Sequence, residues 1–322
     1  MEATMRWTLV TAIAPVAWGT NYFVTHEYLP TDHPLYGAAI RALPAGVLLL
    51  ALCRQIPHGA WWWKSLVLGT LNMGSFFALV YLAAQLLPTS IASTIMAASP
   101  VSLMLLAWAV IGERPRGLPL LGGGIGIAGV CLMLLTGTVT LNALGVLASA
   151  TAMVTSSFGY VLAKRWSAEV DVLASVSWQL IAGGLVVLPL AIVHEGAPPE
   201  LDASAVLGFA YVAVVATAVA FAAWFAGLRR LPAATVGLVG LLNPVTGVLL
   251  GTVIAKETLT LQQICGLILV LLGIVLGQPI AVTVAACVRS RATGADSSRD
   301  TSVGRTTCLD RPETNRATKQ DR

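Results

Sequence analysis

The chain has 322 residues, of which 57% are hydrophobic and 11% charged, with a mean hydropathy of +0.81 and a formal net charge of +4. A water-soluble domain carries about 25% charged residues, so a soluble fold is excluded. The basic residues lie in short loops and a tail, not in one patch, which argues against a nucleic-acid partner.

In chain order, apolar stretches of about 20 residues, the length that crosses a bilayer, recur over 7–29, 34–53, 63–84, 89–111, 117–136, 143–163, 172–193, 204–226, 233–254 and 260–280. The short Arg-then-apolar start imitates a signal peptide, but the apolar run continues past Trp18 without a clean cleavage site and is read as a retained span. Trp61-Trp62-Trp63-Lys64 opens the third stretch and reads as an interfacial anchor. The last residues, 281–322, turn polar and Arg/Asp/Ser/Thr-rich and are expected to be a disordered cytoplasmic tail.

The chain repeats itself. Tyr81–Gly129 aligns with Phe225–Gly273 at an offset of 144, so that Pro88 falls on Pro232, Pro100 on Pro244, Glu113 on Glu257, Gly122 on Gly266 and Gly129 on Gly273. Earlier spans align at 138: Tyr22 on Tyr160, Arg41 on Gln179, Gly46 on Gly184. The shift of six falls between Gly184 and Phe225, part of it in the loop 194–200. Each copy holds five spans, an odd number, so the two copies must lie upside down relative to each other. The expectation is an all-α membrane protein of ten transmembrane helices arranged as two inverted five-helix repeats, 1–142 and 143–280. Inverted repeats with a site at their interface are a secondary-transporter architecture.

Orientation follows from Lys and Arg. With the N-terminus cytoplasmic, eleven fall inside (Arg6, Arg54, Lys64, Arg114, Arg116, Lys164, Arg165, Arg229, Arg230, Arg289, Arg291) and only Lys256 outside. Both termini are therefore expected in the cytoplasm, at the cell membrane.

Polar groups at membrane depth each require a partner or a purpose. Trp18, Asn21, Tyr22 and Thr25 share one helix face and are the leading cavity candidates. Asn72 and Ser75 lie one turn apart. Ser156 and Tyr160 form another stripe, with Tyr160 matching Tyr22. Each set reads equally as interhelical glue. Pro100 and Pro244 are expected to kink the fourth and ninth spans and free carbonyls, with Thr94, Ser99 and Asn243 lining the opening. Glu113 and Glu257, just before helix starts, read as structural or gating carboxylates. Arg41 either snorkels to the outer headgroups or faces the cavity and clamps a substrate carboxylate; its match, Gln179, is neutral. His26 and Glu27 near the outer end could titrate during transport, although an interfacial place explains them as well.

Five scattered cysteines with no CxxC and no His/Cys cluster point to no disulfide and no metal site. No GxxxxGK[ST] phosphate loop is present, so ATP hydrolysis and a nucleotide cofactor are not expected.

Ala17-Trp18-Gly19-Thr20-Asn21, Arg41, and Ser99-Pro100 with Gly112-Glu113-Arg114 resemble the EamA-type members of the drug/metabolite transporter superfamily. Asn243-Pro244 with Lys256-Glu257-Thr258 resembles the matching second half, and the likeness covers about residues 8–278. The resemblance implies a ten-helix carrier with a central cavity, often an exporter of amino acids or other small metabolites. The aromatic and uncharged candidates themselves point to a neutral or zwitterionic solute. A membrane sensor or partner subunit without flux is the alternative. An intramembrane hydrolase would need a mid-membrane His, and His26, His33, His58 and His194 all lie near interfaces or in loops. The partners expected are a small-molecule substrate and the lipid bilayer. The substrate, the coupling ion and the oligomeric state, a homodimer included, stay open.

Overall fold

The computed structural model describes residues 2–30, 33–87, 95–134, 142–255 and 260–278. Among these residues every regular element is helical and there is no strand. The tail lies outside the described residues.

In order, the helices are α1 (Glu2–Tyr28), α2 (Pro34–Cys53), α3 (Trp61–Gly69), α4 (Ser75–Leu86), α5 (Ser99–Ile111), α6 (Gly117–Leu134) and α7 (Ala143–Trp166). Then come α8 (Val172–Glu195), α9 (Ala203–Ala213), α10 (Ala220–Arg230), α11 (Ala233–Val239), α12 (Leu242–Ala255) and α13 (Leu261–Leu276). A π-helical turn, Thr70–Gly74, joins α3 to α4, and another, Val214–Val219, joins α9 to α10. The two turns begin 144 residues apart. By length and composition, four helices can cross a membrane: Pro34–Cys53, Ala143–Trp166, Val172–Glu195 and the continuous Ala203–Arg230. Large apolar side chains such as Leu207, Val193 and Leu272 stand outward, as a lipid solvent allows.

Helix starts follow local chemistry. Asn142, Asp171 and Asp202 accept hydrogen bonds from the first-turn amides of α7, α8 and α9. Thr260 and Gln263 form a reciprocal capping box on α13. α2 opens on Pro34 and has no side-chain cap of its own. Glu195, at the end of α8, supplies it instead, accepting from Leu35 N at 2.6 Å and Tyr36 N at 2.9 Å.

Glycine lets two helix pairs touch backbone to backbone. A methyl group on Gly122 of α6 would meet the Gly273 carbonyl of α13 at 2.6 Å, and one on Gly273 would meet the Gly122 carbonyl at 2.5 Å. One turn-pair along, Gly129 and Gly266 stand in the same mutual relation, at 2.7 and 2.6 Å. α2 and α8 cross likewise, Gly46 against Ile181 and Gly184 against Leu43. Close approach through small residues is the usual way helices associate in lipid.

Two expectations need correction. Pro100 and Pro244 do not kink the middle of a helix. Pro100 sits in the first turn of α5, after a turn at 97–98, and Pro244 sits in the first turn of α12, after a break at Gly240–Leu241. Proline is tolerated there because its missing N–H would have no intrahelical partner anyway. The Trp61–Trp63 run is not uniformly an interfacial anchor. Trp62 and Trp63 are exposed, but Trp61 is buried against Trp178, ring centroids 5.5 Å apart. Lys64 is buried too, ion-paired with Glu169 and lying over the rings of Trp61 and Trp166.

Candidate functional site

The two π-helical turns supply hydrogen-bonding groups at mid-helix depth. A π turn shifts the ladder to i→i+5 and widens the helix. Ala216, in the second turn, offers its carbonyl to two side chains: Trp18 Nε1 donates at 3.1 Å and an Arg41 terminal nitrogen at 3.3 Å. Arg41 Nε also donates to Thr217 Oγ1 at 3.0 Å, and the guanidinium lies 5.2 Å from the Phe77 ring centroid. Snorkelling is therefore not what Arg41 does. Its charge turns inward because fixed acceptors and an aromatic face are within reach.

In the first π turn, Asn72 Nδ2 donates to Gln179 Oε1 at 2.8 Å, and Gln179 Nε2 donates to Ser175 Oγ at 3.0 Å. Both Asn72 and Gln179 are fully buried. Asn72 Oδ1 lies hard against Gly159 of α7 and has no hydrogen-bond partner. This pair joins three helices.

Around Trp18 the aromatics converge. Its ring centroid lies 5.2 Å from those of Phe221 and Trp224, and Tyr160 lies 5.6 Å from Trp224 and 5.7 Å from Phe225. Trp224 leans against Gly240, at the break between α11 and α12. α1 and α12 cross at Gly19, where an added methyl would meet the Asn243 carbonyl at 2.8 Å. Three buried side-chain atoms on α1, α10 and α12 lack hydrogen-bond partners: Asn21 Oδ1, Trp224 Nε1 and Asn243 Oδ1. Unsatisfied buried polar atoms are rare and costly, which makes these three candidates for contact with a ligand or water.

The structure thus brings Trp18 and Tyr160 into one aromatic cluster through Trp224, sets the Asn243 backbone against Gly19 of α1, and shares the Ala216 carbonyl between Trp18 and Arg41. Asn72 and Gln179 pair with each other. Ser156 turns back on its own helix, donating to the Met153 carbonyl at 3.1 Å. Ser75 and Ser99 are half-buried at the starts of α4 and α5. Thr94, Glu257 and the side chains of Tyr22, His26 and Glu27 lie outside the described residues. Phe221, Trp224 and Phe225 are additions. Their i, i+3, i+4 spacing is the signal by which they could have been found.

At one end of the bundle lies a cavity of about 540 Å³, bordered by Glu113, Arg114, Arg116, Lys164, Arg229 and Arg230. Glu113 here does not serve the helix that follows it. One carboxylate oxygen pairs with Lys164 of α7, and the other accepts from Ala233 N, the start of α11, at 3.0 Å. Lys164 also donates to the Leu231 carbonyl at 2.7 Å. Three segments are thereby tied together.

The EamA-like transporter family model matches residues 5–135 and again 143–277. Protein PecM of Dickeya dadantii is 34% identical over 84% of this chain and 91% of its own. A protein of Escherichia coli (strain K12) named "Uncharacterized inner membrane transporter YedA" is 27% identical over 81% of this chain and 87% of its own. A Salmonella typhimurium protein named "Probable amino-acid metabolite efflux pump" is 27% identical over 80% and 90%. A crystal structure with 20% identity superposes with a TM-score of 0.77, over 87% of this chain and 99% of the other, a likeness of fold alone. The chain is a multi-pass membrane protein of the EamA-like transporter family.

Proposed function

We propose that the chain is a secondary transporter that exports small neutral or zwitterionic organic metabolites, amino acids among them, by alternating access. The observation that carries this reading is the aromatic cluster of Trp18, Tyr160, Phe221, Trp224 and Phe225, with an unpartnered Trp224 Nε1 and two further unpartnered amide oxygens, Asn21 Oδ1 and Asn243 Oδ1, on α1 and α12, which pack together at Gly19. Two amide oxygens can accept from a substrate ammonium, and an indole N–H can donate to a carboxylate. The aromatic faces beside the Trp224 indole can hold the apolar part of a solute. The export direction rests on the resemblance and on the name of the Salmonella relative.

The same reading takes the ten spans as two inverted halves, 1–142 and 143–280, with both termini cytoplasmic. It is supported by the two family matches within one chain, by the π turns 144 residues apart, and by the mutual glycine contacts. In each such contact, residue i of one half meets j of the other while the counterpart of j meets the counterpart of i, as a two-fold relation demands. The test is solute flux. Purified protein in proteoliposomes, loaded with a panel of labelled amino acids, should release at least one faster than empty vesicles do. Trp224→Phe and Asn243→Leu should each cut that rate at unchanged incorporation. Absence of flux for every solute, with protein that binds one of them, would replace the transporter by a sensor.

A further inference from the structure

The cavity at the Glu113 end is more basic than a loop region needs to be. Five cations border it, Arg114, Arg116, Lys164, Arg229 and Arg230, against the single carboxylate of Glu113. That carboxylate is already used on both oxygens, by Lys164 and by Ala233 N. The arginines have neutral company. Arg229 donates to the Val170 carbonyl at 3.3 Å, and Arg230 lies over the Trp7 ring, 4.8 Å from its centroid. Arg114 and Arg116 are exposed, and among the described residues no carboxylate pairs with any of the four. The walls between the charges are apolar, with Met104, Ala107 and Leu231. The volume, about 540 Å³, falls in the range of ligand sites and far exceeds what one carboxylate fills.

We propose that this vestibule is a phosphate-binding site, separate from the transport site, and that Glu113 is its internal competitor. Lys164 together with a backbone N–H is a built anion site, and Glu113 occupies it as a tethered anion. Inorganic phosphate or a phosphomonoester brings more oxygens and more charge than Glu113, a phosphodiester headgroup brings an equal charge that is not tethered to the chain, and guanidinium forks match either in two-pronged contacts. Its arrival in the vestibule draws Lys164 away from Glu113 and loosens the tie between α5, α7 and α11. The phosphate can belong to an anionic lipid headgroup, since basic pockets between membrane helices bind such headgroups, or to a soluble phosphate.

Full-length protein in phosphatidylcholine nanodiscs is titrated with inorganic phosphate, following its unfolding temperature. In parallel, nanodiscs containing phosphatidylglycerol are compared, with lipid retention read by native mass spectrometry. Saturable stabilisation is expected in at least one arm. Response to phosphatidylglycerol alone identifies the lipid as the source, and response to both identifies a site open to soluble phosphate. Arg114→Ala with Arg116→Ala, both exposed and tolerable to the fold, should weaken binding about tenfold or more. Glu113→Gln keeps the hydrogen bond to Ala233 and should bind tighter than wild type. No saturable response in wild type and Glu113→Gln, a response indifferent to the arginine pair, or unchanged affinity in Glu113→Gln overturns the proposal. Binding is read without flux, so its failure leaves the transport reading untouched.

Discussion

Arg41 and Gln179, 138 residues apart, each bond to a π-helical turn: Arg41 donates to Ala216 and Thr217, and Gln179 accepts from Asn72. The turns themselves begin 144 residues apart. One junction is charged and donates; the other is neutral and accepts. Matched positions thus carry unlike chemistry.

Arg41→Lys should not restore what Arg41→Gln loses. The guanidinium makes two directed bonds and lies against Phe77, and an ammonium cannot copy that fork. Both variants should lower thermal stability in detergent by about 1–3 kcal/mol and reduce flux per inserted molecule. Near-normal flux in Arg41→Gln would remove Arg41 from the transport machinery.

A double-mutant cycle on Asn72→Ala and Gln179→Ala should give a coupling of about 1 kcal/mol, the usual scale for an interhelical hydrogen bond in membranes. Unfolding in mixed micelles measures it. Asn72→Leu should cost more than Asn72→Ala, because a methyl group is larger than the amide oxygen already pressed against Gly159 and leaves Gln179 facing an apolar group. Additive single effects would mean that the pair does not couple.

The segments of helix length were legible because about 20 apolar residues in a row have few other uses. Intramembrane polar residues were legible as exceptions, and Asn72, Gln179 and Arg41 all hold partners. Which partner each holds was not legible, because it depends on helix rotation, which span length does not set. The π turns left no trace in composition, since the change is one residue's worth of ladder register. Glu113 was read by its nearest helix, but the acceptor it provides goes to Ala233, 120 residues on. The proline kinks failed for a simpler reason. Proline marks a helix start as readily as a bend, and only the turns before Pro100 and Pro244 decide between them.

Gly122→Leu and Gly273→Leu should each fail to accumulate in the membrane, because the side chain enters the facing backbone. Gly122→Ala should cost about 1–3 kcal/mol. Gly124→Ala, with open space around it, is the control and should be neutral or better. Equal expression of the Gly122 and Gly124 variants would contradict the contact.

Single cysteines at Gly117 and Thr260, in a background without native cysteines, should react with an impermeant thiol reagent from opposite faces of the membrane. The two positions open α6 and α13, whose glycines meet in antiparallel register. Labelling of both from one side would sink the inverted arrangement.

Asp202 offers a pH-dependent cap. Its carboxyl is held below the usual carboxylate range, first by the Ala205 N–H and then by the Ser204 hydroxyl. A lowered folded value means the cap's contribution is present above the unfolded pKa and is lost as pH falls through the folded one. The protection of the first-turn amides of α9 against hydrogen exchange, taken relative to their intrinsic rates at each pH, should fall in acid. Asp202→Asn, a cap without a charge, should flatten that dependence.

The mutual glycine crossing of α6 and α13 also bears on how the chain is made. Gly122 leaves the ribosome well before its neighbour Gly273. At about 5–20 residues per second, the interval is on the order of ten to thirty seconds. During that time the small-residue face of α6 lacks the α13 face it packs against in the finished structure, and the face of α1 that receives α12 is likewise without its partner. A chain halted before α13 therefore presents a ready seam to another copy or to a membrane chaperone. Completion of α13 is what withdraws that seam from competition.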